Sequence, residues 1–295
     1  MRFMTTLTLV SLLAGCTAPQ DDLVPPPPGQ DEQAPLLQIK ESTAALQGSF
    51  DANTLAGACV EFSDLRVEGN VTVKDIDGEL PDLSCLQVVT GDLVVSANSE
   101  LSSLAAFSEL RYVGGDVLIA HNPELLDLLG LDRLRSAGSV TVEGNPSLLD
   151  LEGLDSLVDV RDTFTIRAND GIQSLEGLLS LGDTWSGSFV IADNADLRDL
   201  AGLDSLAHVS GGIEISENPV LGSMEGLQGL RTLGDTLRVH ANDGLTDIDA
   251  LLDIEAIGGD LLVTDNPRLS AESVDALVEA IAEIEGSVIL RDNGE

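Results

Sequence analysis

The chain of 295 residues carries 51 acidic and 14 basic side chains, which gives a formal net charge of −37. So acidic a composition argues against nucleic acid as a partner, because binding to a phosphate backbone needs clustered positive charge. Hydrophobic residues make up 43% of the chain and aromatic residues only 3%, so the sequence predicts a sizeable core built from aliphatic side chains.

Residues 1–15 are typical of a secretion signal, because Arg2 is followed by an apolar run that is too short to span a bilayer. The next residues, Leu13-Ala14-Gly15-Cys16, resemble the lipobox of bacterial lipoprotein signals. This resemblance implies cleavage before Cys16 and attachment of lipid to that cysteine. We therefore expect an exported protein, lipid-anchored in the bacterial cell envelope. Because Thr17 and not Asp follows the cysteine, the outer membrane is favoured, with the protein facing the periplasm or the surface.

Residues 16–45 are predicted to form a tether, since the proline run at 25–28 favours extended polyproline conformations. Residues 46–90 are predicted to form an N-terminal cap and a first coil. Cys59 and Cys85 lie in this part, and an even pair of cysteines in an exported protein predicts a disulfide. The alternative is a pair of free thiols at a metal or catalytic site. It is disfavoured because no histidine lies near them in sequence and a metal would need more ligands.

Residues 91–269 repeat a unit of about 24 residues. Each unit has a strand of alternating polarity, such as 117–120, then an asparagine, a Leu-x-x-Leu stretch and a glycine-rich corner. So regular a period predicts a solenoid of nine or ten coils, in which each coil covers its neighbour's apolar face. The asparagines are expected to stack in a ladder that bonds the backbone of adjacent coils. They are Asn98, Asn122, Asn145, Asn169, Asn194, Asn218, Asn242 and Asn266, with Asn293 closing the series.

The spacing Val117-x-Ile119-x-x-Asn122 matches the Leu-x-Leu-x-x-Asn signature of leucine-rich repeats. The full unit runs from Gly-Asp-Leu-x-Val through Asn-x-x-Leu-x-x-Leu to Leu-x-x-Val-Gly-Gly. It resembles the receptor L domain, over about residues 66–293. The resemblance implies a mainly β fold, a right-handed parallel β-helix related to leucine-rich repeats. That family includes ligand-binding modules of growth-factor receptors and many bacterial surface lipoproteins, but no receptor contact residue maps onto this chain.

Residues 270–295 depart from the repeat. Ser270 suits a helix N-cap, and apolar residues including Val274 and Leu277 recur after it at helical spacing. This pattern predicts a C-terminal capping helix, followed by one last strand that ends at Asn293.

The sequence assigns no catalytic residue, metal ligand or cofactor. His121 and His240 lie five repeats apart, about 24 Å at roughly 4.8 Å per coil, so they cannot share a metal ion. Acids at matching places leave open weak calcium binding or a polysaccharide-processing β-helix enzyme. However, an acid that recurs at matching places in several units indicates a repeat feature and not a single active site. These acids are Asp127, Asp150, Asp199 and Asp247.

The outward positions of the strands form the most informative surface. Eighteen such positions carry three arginines and two acids, in a chain of net charge −37. This near-neutral, partly apolar strip predicts a noncatalytic binding surface for a protein ligand. Strands favour Val, Ile and Thr in any case, so a structural envelope spacer without a specific ligand stays open, as does the oligomeric state. The predicted binding residues are Leu118, Arg167, Glu214, Arg238, His240 and Leu262.

Overall fold

The computed structural model describes residues 44–294, which wind into a solenoid whose strands pair in parallel within three sheets. This arrangement confirms the predicted mainly β solenoid with a period of about 24 residues. Neither helix in the described part of the chain is long and apolar enough to cross a membrane. The predicted signal peptide, the lipid attachment at Cys16 and nearly all of the predicted tether lie outside the described residues.

The main sheet takes one strand from each coil, in chain order. Side chains alternate along each strand, so Val117 and Ile119 are buried while Leu118 between them is partly exposed. Neighbouring strands keep a common register, with Ile213 opposite Leu237. The strands are β2 (Phe50–Asp51), β4 (Val71–Lys74), β6 (Leu93–Ser96), β8 (Val117–Ala120), β10 (Val140–Glu143), β12 (Thr163–Arg167), β14 (Ser188–Ala192), β16 (Ile213–Ser216), β18 (Leu237–His240), β20 (Leu261–Thr264) and β22 (Val288–Arg291).

Two side sheets line a second side of the coils. Their first strand begins at Ala44 and pairs with the strand that begins at Leu65, so the last two residues of the predicted tether, 44 and 45, belong to the sheet. The N-terminal side sheet holds β1 (Ala44–Gln47), β3 (Leu65–Glu68), β5 (Leu86–Val89), β7 (Tyr112–Val113), β9 (Ser136–Ala137) and β11 (Asp159–Val160). The C-terminal side sheet holds β13 (Thr184–Trp185), β15 (His208–Val209), β17 (Thr232–Leu233), β19 (Ala256–Ile257) and β21 (Glu283–Ile284).

The core between these sides is built mainly from buried leucine, isoleucine and valine. At one level it is aromatic instead, which corrects the expectation of an aliphatic core throughout. The ring of Trp185 lies 4.6 Å from that of Phe189, and Phe164 lies 6.0 Å from Phe189. This cluster lies at the break between the two side sheets. It also coincides with the longest interval between successive predicted ladder asparagines up to Asn266, which is the 25 residues from Asn169 to Asn194. Bulky rings therefore fill the core where the coil departs from its regular length.

The asparagines form a continuous buried ladder. Asn194 shows the pattern: its Oδ1 accepts from the backbone N–H of Asn169 at 3.1 Å, and its Nδ2 donates to the carbonyl oxygen of Ile166 at 3.1 Å. The residue before each of them has a positive φ, as at Asp193 with 56°, and this turns the chain sharply out of the strand. The fully buried members are Asn98, Asn122, Asn145, Asn169, Asn194, Asn218, Asn242 and Asn266.

Two α-helices flank the regular coils. The first, α1 (Ala52–Cys59), is capped by Asp51, which accepts from the N–H of Thr54 at 2.8 Å. The second, α2 (Ala271–Ala280), confirms the predicted C-terminal helix, and its N-cap Ser270 accepts from the N–H of Ser273. This helix takes the place of the Leu-x-x-Leu side in the last coil. The helix does not cover Val288 and Leu290, the two side chains of the last strand β22 that point to the core side. They remain 42% and 37% exposed, respectively.

A disulfide joins Cys59, the last residue of α1, to Cys85, with the two Cα atoms 5.3 Å apart. The bond holds α1 against the first coils, where Leu55 of that helix is fully buried. The two cysteines are separated by 26 positions, so the bond closes a loop of moderate length in the unfolded chain.

Reduction of this disulfide is expected to lower the free energy of unfolding by about 3 kcal/mol, because the unfolded chain regains the entropy that the closed loop had removed. The measurement is urea denaturation of the full-length protein with and without a reductant. The double variant Cys59→Ser/Cys85→Ser serves as the control, since it should show the lower stability in both conditions. Identical midpoints for the reduced and the oxidised protein would contradict the prediction.

Candidate functional site

The outward side chains of the main sheet form one surface, which we call the strand face. Strand registers place them in two columns that cross the coils, with Glu214 opposite Arg238, and Arg238 opposite Leu262. Consecutive strands lie about 4.8 Å apart, so a contact across three coils spans roughly 10 Å. Three strands thus bring together residues that are widely separated in the sequence.

The two columns of the strand face differ in exposure. The second column, the one nearer the ends of the strands, includes Ala120, Ala192, Ser216 and Thr264, which are among the eighteen outward positions, and the structure buries all four. Each of these side chains is small and lies beside a larger one in at least one adjacent coil, such as Arg167 beside Ala192 and His240 beside Ser216, so little of their surface reaches water. The surface available to a partner therefore comes mainly from the first column and from the larger members of the second.

Glu214, Arg238 and Leu262 form the centre of this face. The Nε atom of Arg238 lies 3.7 Å from Oε1 of Glu214, and their side chains are 43% and 41% exposed. That distance is too long for a hydrogen bond, and the Nε atom of Arg238 is buried without any hydrogen-bond partner among residues 44–294. Leu262 adds a partly exposed apolar side chain on the other side of Arg238. A charged group with unused donors thus lies between a carboxylate and an apolar surface.

His240 extends this cluster at the ends of the same strands. Its Nδ1 lies 3.0 Å from Oγ1 of Thr264 and 3.2 Å from a carboxylate oxygen of Asp265. Asp265 was not among the predicted site residues; it holds the positive-φ position at the end of β20, with φ 59°. Ser216, on the strand before His240, donates its hydroxyl to Glu214 at 3.1 Å. This serine is thus engaged with a carboxylate and not with the imidazole, so the group does not form a nucleophile–base pair.

The other two predicted residues lie outside this cluster. Arg167, at the end of β12, is exposed and lies two strands before Glu214, about 10 Å away along the sheet. Leu118, on β8, lies four strands before Glu214, about 19 Å away. The strand face therefore contains a compact group around Arg238, and two outlying members.

The recurring acids have a local structural role. Oδ1 of Asp150 accepts from the N–H of Glu152 at 2.9 Å, and Oδ1 of Asp199 accepts from the N–H of Ala201 at 3.1 Å. Such Asx turns hold the chain in the bend before each Leu-x-x-Leu stretch. The same contact, from a carboxylate to the N–H two residues later, is made by Asp127 and Asp247.

Among residues 44–294 no group of three or more His, Cys, Asp or Glu side chains is placed to hold a metal ion. We call the side of the coils that carries the Leu-x-x-Leu stretches the turn side. An open depression of about 340 Å³ lies there, and its lining includes Ser223, Glu225 and Asp249. It lies away from the strand face, which is a broad sheet surface. Such a surface suits a macromolecular partner better than a small molecule, since small ligands are usually held in concave sites.

Comparison with known proteins gives one match. Residues 65–158 match the family model of the Receptor L domain. No curated protein and no solved structure matches the chain. Over residues 65–158 the match confirms the resemblance that the repeat pattern predicted, and the family suggests a ligand-binding module. A binding family fits a noncatalytic role.

Proposed function

We propose that this β-solenoid, whose residues 65–158 match the Receptor L domain family, is a noncatalytic module that binds a protein ligand on its strand face. We further propose that lipid on Cys16 anchors it in the cell envelope, at the outer membrane, so that the solenoid presents this face at the periplasm or the surface. Support for the anchor comes from the lipobox-like residues before Cys16.

The main support for the binding face is the environment of Arg238. Arginine with unused donors, flanked by apolar surface, is typical of residues that dominate protein–protein interfaces. Here the buried Nε of Arg238 has no hydrogen-bond partner among residues 44–294, and Leu262 lies beside it in register. Because the Nε atom is buried, a ligand carboxylate or carbonyl oxygen would meet the guanidinium through the part of the Arg238 side chain that is exposed.

The double variant Arg238→Ala/Leu262→Thr is expected to lose its protein ligand. Removal of an interface arginine and its apolar neighbour costs about 2 kcal/mol or more, which is roughly a thirtyfold loss of affinity. Threonine at residue 262 keeps a side chain that favours strands, so the sheet should be preserved. The measurement is quantitative affinity capture from envelope extracts with the full-length protein.

The matched control is Arg198→Ala/Leu149→Thr, because both residues are exposed and lie on the turn side of the coils. This control should recover the same partner as the unaltered protein. If the Arg238 variant recovers that partner equally well, the strand face is not the binding surface. If no protein is enriched at any salt concentration, the protein is better described as an envelope spacer.

A further inference from the structure

Four arginines lie just before or after strands β7, β9 and β11 of the N-terminal side sheet, in a chain whose net charge is −37. Three consecutive coils contribute them, so the group spans about 10 Å along the solenoid. All four are at least partly exposed. We call this group the arginine patch; its members are Arg111, Arg133, Arg135 and Arg161.

Two members of the patch are drawn together by one carboxylate. The Nη2 atom of Arg111 lies 3.3 Å from Oε2 of Glu109, and Nη1 of Arg133 contacts the same oxygen atom. One negative charge therefore faces two positive charges. The side chains remain 38% exposed at Arg111 and 52% exposed at Arg133, so both guanidinium groups can still reach a partner.

The other two members are held by backbone contacts, and the nearby carboxylate of Asp159 on β11 accepts from the hydroxyl of Ser136 at 2.9 Å. Arg135 lies beside Arg111, because its backbone N–H donates to the carbonyl oxygen of Arg111 at 3.0 Å. The guanidinium of Arg161 donates to the carbonyl oxygens of Gly114 and Ala137 in the two preceding coils. These carbonyl groups hold the arginine in place without cancelling its charge. Neither Arg135 nor Arg161 makes an ion pair within the described range 44–294.

Apolar and aromatic surface accompanies these charges. Tyr112, the single tyrosine of the sequence, is partly exposed on β7, and Val158 nearby is 53% exposed. Tyrosine and arginine are the residue types most enriched at the centres of protein interfaces. The C-terminal side sheet has no comparable group of arginines in the described residues. One arginine, Arg231, stands at the position equivalent to Arg111 and Arg135, and it is paired with Asp253 at 3.4 Å.

We infer that the arginine patch and Tyr112 bind a short acidic segment of a partner protein. Guanidinium groups recognise carboxylates through paired hydrogen bonds, so three adjacent coils offer sites for several carboxylates at once. Exposed acids border the patch on both sides, with Asp132 and Asp155 on the turn side and Asp116 and Asp162 at the opposite corner. A long anionic polymer would extend beyond the patch and meet these repelling charges, whereas a short peptide segment would not.

The test uses the full-length protein and a short fluorescein-labelled peptide rich in glutamate, with binding followed by fluorescence anisotropy at physiological salt. At that salt the Debye length is about 8 Å, so repulsion from distant acids is screened while direct contacts persist. The unaltered protein should bind this peptide and should not bind the same peptide with glutamine in place of glutamate. The variant Arg111→Ala/Arg135→Ala should weaken binding about tenfold or more.

The control Arg198→Ala/Arg268→Ala removes two exposed arginines from other parts of the surface and changes the net charge equally, so it should leave peptide binding unchanged. Arg135→Gln is the milder variant: Arg135 makes no ion pair within residues 44–294, so its loss should weaken binding without affecting folding. The strand-face variant Arg238→Ala should bind the peptide normally, which separates this inference from the proposed function.

Three results would overturn the inference. The first is no binding of the glutamate peptide by the unaltered protein, and the second is an equal loss in the charge-matched control. The third is preferential binding of a polyuronate fragment or of anionic lipid vesicles with the same dependence on Arg111 and Arg135. That outcome would assign the patch to a glycan or a membrane instead of a protein.

Discussion

Replacement of Asn194 with alanine is expected to lower the free energy of unfolding by roughly 3–5 kcal/mol. Alanine removes the acceptor for the backbone N–H of Asn169 and the donor for the carbonyl oxygen of Ile166. Each buried backbone group left without a partner costs about 1–3 kcal/mol. Asn194 is fully buried, so water cannot substitute for the lost amide. The measurement is the midpoint of urea denaturation followed by circular dichroism.

Two control variants define the result. Asp196→Ala changes an exposed residue of the same coil and should shift the midpoint little. Asn293→Ala removes the last ladder residue, which accepts from the N–H of Asn266 and donates to the carbonyl oxygen of Val263. Asn293 is only partly buried, so water can replace part of these contacts and the effect should be smaller. If Asn194→Ala proved no more destabilising than Asp196→Ala, the ladder would not be a main source of stability.

Gly202→Ala is expected to destabilise the solenoid by about 3 kcal/mol or more, or to prevent folding. A Cβ atom at residue 202 would lie 2.1 Å from the carbonyl oxygen of Leu175 in the preceding coil, so the coils would have to separate. The backbone at Gly202 also has φ +114°, a conformation that residues with a side chain rarely adopt. The same close approach occurs in successive coils at Gly130, Gly153, Gly177 and Gly226.

Gly222→Ala is the matched control, because a Cβ atom at residue 222 would have no other atom within 4 Å and the φ of this glycine is not positive. This substitution should be tolerated. Thermal unfolding by circular dichroism compares the two variants with the unaltered protein. Equal melting temperatures for the two alanine variants would show that the coils can separate at Gly202 without cost, contrary to the expectation.

The period of the sequence accounts for the parts of the fold and site that were predicted. A repeat near 24 residues puts equivalent positions side by side, so Glu214, Arg238 and Leu262 could be placed in neighbouring strands from the sequence alone. The asparagine positions follow from the same arithmetic. The helix α2 was recognisable because Ser270 and the apolar spacing after it are local signals.

Features that depend on contacts between unlike positions were not predicted. Asp265 lies next to His240 only because the chain bends at a positive-φ residue, which the strand pattern does not indicate. The burial of Ser216 depends on the size of its neighbours in adjacent coils. The arginine patch combines residues from turns and corners beside the strands, and Arg161 reaches back across two coils. A repeat period shows which positions are equivalent in successive coils, but it does not show how far a long side chain extends over the surface.

The asparagine ladder has a direction, and this affects how the chain can fold during synthesis. The N–H of Asn98 is satisfied by Asn122 of the next coil, the N–H of Asn122 by Asn145, and so on toward the C-terminus. The N-terminal coil leaves the ribosome first and, in an exported protein, also emerges first from the membrane, so the newest coil always carries an N–H whose partner has not yet emerged. Native structure is therefore expected to lag behind the growing end by about one coil, with each completed turn locking the one before it.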